Sequence, residues 1–238
     1  MTPLIRRYKF DFMDTPLSFI SPDVIIFDCD GVLFDSRKAN QSFYNHLLEH
    51  FGKPPLAETD LDYVHMHTAG ESIKYLFRDN PIRDAVLAYN RTLDYAPFIR
   101  LMEMEPGLID FLDYLRPKFK TAISTNRSTT IGQVLQTFAL EPYFDLVISS
   151  LDVSHPKPDP ESIFKIVDYF QVTPEQCWYI GDSEVDAQTA GRAGVIFVAY
   201  KNSALPADFH VQGFSELKDY LEGSRDQGFK DSMGKPGS

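Results

Sequence analysis

Val24-Ile25-Ile26-Phe27-Asp28-Cys29-Asp30-Gly31-Val32-Leu33-Phe34-Asp35-Ser36 is the stretch on which the fold turns. Its first four residues are an uninterrupted apolar run, as a strand buried on both faces requires. Asp28 and Asp30 follow at the strand's C-terminal end, where open α/β sheets place their ligands. In an extended segment, residues i and i+2 point the same way. Two carboxylates so placed repel unless a cation or a shared proton intervenes. Gly31 permits the sharp exit that exposes both.

Working outward, the pattern alternates strand and helix. Lys120–Ser124, Asp145–Ile148, Cys177–Ile180 and Val195–Val198 are strand-like. Leu108–Arg116, Thr129–Phe138, Pro160–Phe170 and Val185–Ala193 carry helical periodicity, the last closed by Gly194. Repeated β-α units predict a parallel sheet with helices on both faces. From about Arg37 to Met102 only helix-like segments occur: KANQSFYNHLLEHF, ESIKYLF and IRDAVLAYNRTLDYAPFI. Such a block inserted after the first strand predicts a separate small helical domain.

Bulk properties bound the function. The 238 residues carry a net charge of −11, with 43% hydrophobic and 24% charged residues. That balance argues against nucleic acid, whose phosphates need clustered Lys and Arg. It also means that an enzyme acting on phosphates must concentrate positive charge locally. No apolar run reaches the ~18 residues of a membrane span. Cys29 and Cys177 lie in apolar runs and read as buried thiols, which fits a reducing compartment. The N-terminal stretch makes a poor signal peptide, so the cytoplasm is expected.

Three further pieces carry chemistry. Thr125 and Asn126 end the second long strand, offering a hydroxyl and an amide to phosphate oxygens at a helix N-terminus. Lys157 lies in the proline-stiffened HPKPDP, which presents its ammonium at a fixed place. Asp182 and Asp186 follow Ile180-Gly181 and are hard oxygen ligands suited to magnesium.

DxDGVLxDS, a strand-final Thr-Asn, a loop Lys and GDSxxD, in this order, resemble the haloacid dehalogenase superfamily of phosphohydrolases. The resemblance runs from about Val24 to Val198 and implies a Rossmann-like α/β core with a helical cap. An insert after the first motif points to the branch similar to phosphoglycolate phosphatases and β-phosphoglucomutase. The resulting division is an N-terminal extension at 1–22, a core at 23–36 and 103–222, a cap at 37–102 and a disordered tail at 223–238. The resemblance implies Asp28 as nucleophile and Asp30 as general acid and base. Thr125, Asn126 and Lys157 would bind the phosphoryl group. Mg²⁺ would be held by Asp28, Asp182, the backbone carbonyl of Asp30, and Asp186 directly or through water.

The expected activity is hydrolysis of a small phosphorylated metabolite, of the phosphoglycolate or sugar phosphate type. Alternatives are a mutase of the β-phosphoglucomutase type and a non-catalytic binding protein on the same fold. Asp30 argues against a haloacid dehalogenase. Lys74 is the one cap lysine placed for a Schiff-base phosphonate hydrolase. His65, His67, Thr68 and Glu71 are candidates for substrate contact from the cap. His155 is a candidate near Lys157, whereas Arg127 reads as a surface residue. Ser183 reads as shaping its loop. The sequence does not reveal the oligomeric state.

Overall fold

A computed structural model describes residues 21–78 and 81–233, and the expected extension lies almost entirely outside this range. The chain enters β1 (Val24–Phe27), whose four residues are all buried. β2 (Phe34–Asp35) follows. Next come α1 (Arg37–His50), α2 (Glu58–Met66), α3 (Ala69–Leu76), α4 (Arg83–Asn90) and the short α5 (Ala96–Ile99). β3 (Glu103–Met104) returns the chain by pairing antiparallel with β2. α6 (Leu108–Leu115), β4 (Lys120–Ser124), α7 (Thr130–Thr137), β5 (Leu146–Ile148), α8 (Glu161–Phe170) and β6 (Cys177–Gly181) then alternate. α9 (Glu184–Ala193), β7 (Ile196–Tyr200), β8 (Phe209–Val211) and α10 (Phe214–Met233) complete the described chain.

Six strands form one parallel sheet in the order β5-β4-β1-β6-β7-β8. The fold is therefore the expected Rossmann-like α/β type. β8 is a strand that the sequence pattern does not announce, because three residues are too few to show a period. β1 is central, and the order reverses on either side of it, the position where open sheets form a crevice. Side chains alternate between two cores. Ile25 and Phe27 pack with Phe111, Leu112 and Trp178 on one face. Val24 and Ile26 pack with Ile163, Ile166 and Tyr179 on the other.

Helices α1 to α4 bury a third cluster of their own, including Phe43, Leu47, Val64, Ile73 and Phe77. The sequence pattern does not mark α2, which has weak amphipathic character. The expected tail begins instead as helix, since α10 runs to Met233. Gly223 costs a helix only about 1 kcal/mol, and the surrounding Leu, Glu, Arg, Gln and Lys are good helix formers.

Register positions the site. Phe27, the last residue of β1, lies opposite Ile123 of β4 and Ile180 of β6. The residues that follow these three strands therefore emerge side by side: Asp28 and Asp30, Thr125 and Asn126, then Asp182.

Candidate active site

Asp28 leaves β1 with its backbone N–H still bound to the Ile180 carbonyl at 2.9 Å. The carboxyl is thus fixed at the sheet's end, and it is buried. Lys157 reaches it from the loop before α8, with Nζ 2.9 Å from Asp28 Oδ1. The same ammonium lies 2.7 Å from Asp186 Oδ1 and 2.8 Å from the Tyr179 hydroxyl. All three N–H groups of Lys157 therefore have partners. Burial opposes its charge, but Asp186 and Asp28 outweigh burial and raise its pKa, so it stays cationic.

Asp186 is fully buried and doubly engaged. Oδ1 accepts from Lys157 and from the Tyr179 hydroxyl, the latter at 2.6 Å. Oδ2 accepts from Ser183 Oγ at 2.6 Å and from the Ser183 backbone at 3.2 Å. Ser183 caps α9 in return, accepting from the Asp186 N–H. Burial works against the Asp186 charge, yet Lys157 and these donors hold its carboxyl below the usual range. These bonds make Asp186 the group that fixes Lys157 and the start of α9.

Asp28, Asp182 and Asp186 bring carboxylate oxygens within 4.8 Å of one another. Burial and the charges of neighbouring carboxylates push Asp28 up to about 7, although Lys157 pulls it down. Burial, then Asp186 and Asp28, push Asp182 up to about 8. Hard oxygen donors crowded until they hold protons suit a small divalent cation, which relieves the repulsion. The carboxylates of Asp28, Asp182 and Asp186 are the group that could hold it.

Asp30 behaves differently from its neighbour. Its carboxylate turns to Arg127, whose Nε and Nη2 lie 2.7 and 2.6 Å from its two oxygens. The Ser36 hydroxyl donates to the same carboxylate. Burial raises the Asp30 pKa, but the guanidinium outweighs it and the net shift is downward. Arg127 is not a surface residue: its side chain is only 12% exposed. Ser36 closes the first motif, whereas Tyr179 is a further residue at the site that local pattern does not mark.

Thr125 is buried at the end of β4 and lines the cavity. Asn126 lines the same cavity, and its amide N–H groups donate to the carbonyls of Met66 and Lys157, each at 3.1 Å. Its Oδ1 is buried and has no hydrogen-bond partner among the described residues.

The other candidates separate cleanly. His65 and His67 line the cavity across from Asp28. Thr68 and Glu71 satisfy each other in a capping box at the start of α3. His155 is exposed and pairs with Glu161 at 3.5 Å. Lys74 is exposed as well.

Two glycines let the carboxylates approach. Gly31 has φ +79°, and a Cβ there would lie 2.1 Å from Asp182 Oδ2. A Cβ on Gly181 would lie 2.4 Å from Asp186 Cβ. Gly31→Ala should cost about 1–2 kcal/mol in backbone strain alone and displace Asp182. The Tm in EDTA should then fall by about 2–8 °C. A variant that melts with wild type refutes this packing argument.

Fold and site together define a hydrolase of the phosphatase class. Residues 25–200 match the haloacid dehalogenase-like hydrolase family, and the chain belongs to it. It is 31% identical over 218 residues to the phosphoglycolate phosphatase of Rhodobacter capsulatus, covering 84% of this chain and 96% of that protein. It is 26% identical to a phosphorylated carbohydrates phosphatase of Thermotoga maritima, over 73% of this chain and 82% of the other. A crystal structure of a subfamily IA hydrolase from Geobacter sulfurreducens superposes with a TM-score of 0.70 at 36% identity. That match covers 84% of this chain and 97% of that one.

Proposed function

We propose that this protein is an Mg²⁺-dependent phosphatase that hydrolyses a small phosphorylated metabolite of the phosphoglycolate or sugar phosphate type. The observation that carries the reading is the meeting of Asp28 and Asp182, from the ends of the adjacent strands β1 and β6, with Lys157 from the loop before α8. Asp28 is the nucleophile. One of its oxygens bonds to phosphorus as the bond to the leaving oxygen breaks, and Asp30 gives that oxygen a proton. Asp30 then takes a proton from water, the water oxygen bonds to phosphorus, and the Asp28–phosphorus bond breaks to free phosphate. Splitting the displacement in this way replaces one difficult step by two easier ones.

Electrostatics dominate such a transfer. Lys157 offsets the repulsion between Asp28 and an anionic phosphate. Mg²⁺, held by Asp28, Asp182 and the Asp30 carbonyl, would supply further positive charge at the phosphoryl oxygens. The Thr125 hydroxyl donates to one of those oxygens. Asp30 must turn from Arg127 toward the leaving oxygen to act as acid, and away from the guanidinium it holds a proton more readily. Its acid–base work contributes roughly 10²–10⁴-fold.

The helical unit at 37–102 acts as a cap that closes the cavity against water. Cys29 and Cys177 are buried free thiols, which fits a cytoplasmic enzyme. No described helix is long and apolar enough to cross a membrane.

The test is phosphate release from phosphoglycolate and a set of sugar phosphates, in Mg²⁺ and in EDTA. Release from at least one compound, lost in EDTA, is the expected result. No release from any compound in Mg²⁺, or equal release in EDTA, overturns the reading.

A further inference from the structure

His65 stands on the last turn of α2 and lines the cavity. Two contacts fix how it is presented. Asn40 Nδ2 lies 2.8 Å from His65 Nδ1, so the amide donates and Nδ1 accepts. The imidazole proton of a neutral ring is then on Nε2. Burial, with Arg37 and Arg127, pushes the His65 pKa down against the pull of Asp30, which keeps the ring neutral. The second contact is one residue on, where the Met66 carbonyl accepts from Asn126 at 3.1 Å. This bond pins the cap loop to the core loop that carries Asn126 and Arg127.

His65, Asp30 and Arg127 line one cavity, the ring presented from α2 and Asp30 from beyond the end of β1. A leaving group departs beside Asp30 under the proposed mechanism. The Nε2–H makes no hydrogen bond to the described residues. A cap that closes on a ligand must give this donor an acceptor or leave it unpaired, and an unpaired buried donor is costly.

We infer that His65 determines specificity by donating its Nε2–H to an acceptor oxygen on the leaving group of the substrate. This rests on the phosphatase reading above and narrows it. The substrate is a phosphomonoester of a hydroxy acid or polyol, and a simple alkyl phosphate is discriminated against. Sites built to hydrogen-bond a substrate reject analogues that lack the partner.

Three matched phosphomonoesters test this: phosphoglycolate, 2-hydroxyethyl phosphate and ethyl phosphate. They offer a carboxylate, a hydroxyl and no oxygen beyond the ester. Wild type should favour the better oxygen-bearing compound over ethyl phosphate by about 10-fold or more in kcat/KM. His65→Phe should lower kcat/KM for that compound about 10- to 100-fold, chiefly through KM, and for ethyl phosphate less than about threefold. His65→Gln, whose amide N–H reaches the same place, should restore most of the loss. Asn40→Asp, which draws the ring proton to Nδ1, should lower kcat/KM in the same selective way.

A loss confined to phosphoglycolate assigns the contact to a carboxylate. A loss on both oxygen-bearing compounds assigns it to either oxygen. Equal losses on all three compounds, or a preference that survives His65→Phe, overturn the inference. No release from any of the three by wild type would instead be a failure of the phosphatase reading.

Discussion

Asp28→Asn should abolish phosphate release, by about 10³-fold or more, while the folded protein becomes more stable at pH 8 in EDTA. The two effects share one cause. The wild-type carboxyl is buried at the end of β1 with its pKa pushed up to about 7 by burial, Asp186 and Asp30. A free carboxyl titrates near 3.8. Between these values the metal-free fold holds a proton that the unfolded chain has lost, so stability falls as pH rises through the window. At pH 8 the wild type has lost that contribution in full. Asparagine keeps the shape, bears no charge and does not titrate.

The variant should therefore melt above wild type at pH 8 in EDTA, and the gap should narrow as the pH falls from about 7 toward 3.8. Thermal melts read the stability, and phosphate release in Mg²⁺ reads the turnover. Residual activity above about a hundredth of wild type would remove Asp28 from the nucleophile's role. A variant melting below wild type at pH 8 would contradict the charge argument.

Lys157→Met carries the opposite prediction. The ammonium faces Asp28 at 2.9 Å and Asp186 at 2.7 Å, and all three residues are buried. Methionine fills a similar length but leaves two carboxylates without their cation. Removing one partner of a buried ion pair costs about 3–5 kcal/mol. Asp186 keeps the hydroxyls of Ser183 and Tyr179, which limits the loss without replacing the charge.

The urea midpoint at pH 8 in EDTA should fall accordingly. It should recover at pH 5.5, because protonation then neutralises the stranded carboxyls, and it should recover in Mg²⁺ for the same electrostatic reason. Turnover should drop at least about 10²-fold, since the repulsion between Asp28 and phosphate is no longer offset. An unchanged midpoint at pH 8, or one indifferent to acid, would show that the pairing does not hold the site together.

Much of this was legible in the chain because it depends on neighbours in sequence. An apolar tetrad followed by Asp-Cys-Asp-Gly reads as a buried strand with carboxylates at its exit, and β1 is that strand. The same logic located β4 with Thr125 and β6 with Asp182. It missed β8 and α2, where a three-residue strand and a weakly amphipathic helix leave too little pattern. It also misread Arg127. A charged residue just beyond a strand is usually solvated, but here strand order brings it against Asp30, 97 residues away in sequence.

The sequence by itself determined which elements form, their order, and the family of chemistry their ends carry. These follow from local periodicity, glycine at tight exits and residue type at strand termini. Only the tertiary structure decided which charges cancel and which remain. Lys157 meets Tyr179 and Asp186 across separations of 22 and 29 residues, and Asp186 also accepts from the Tyr179 hydroxyl. Asn126 donates its amide to Met66, 60 residues away. A lysine, two carboxylates and a phenol have no pairing written in their spacing. Coulomb and hydrogen-bond energies depend on distance, and folding sets those distances.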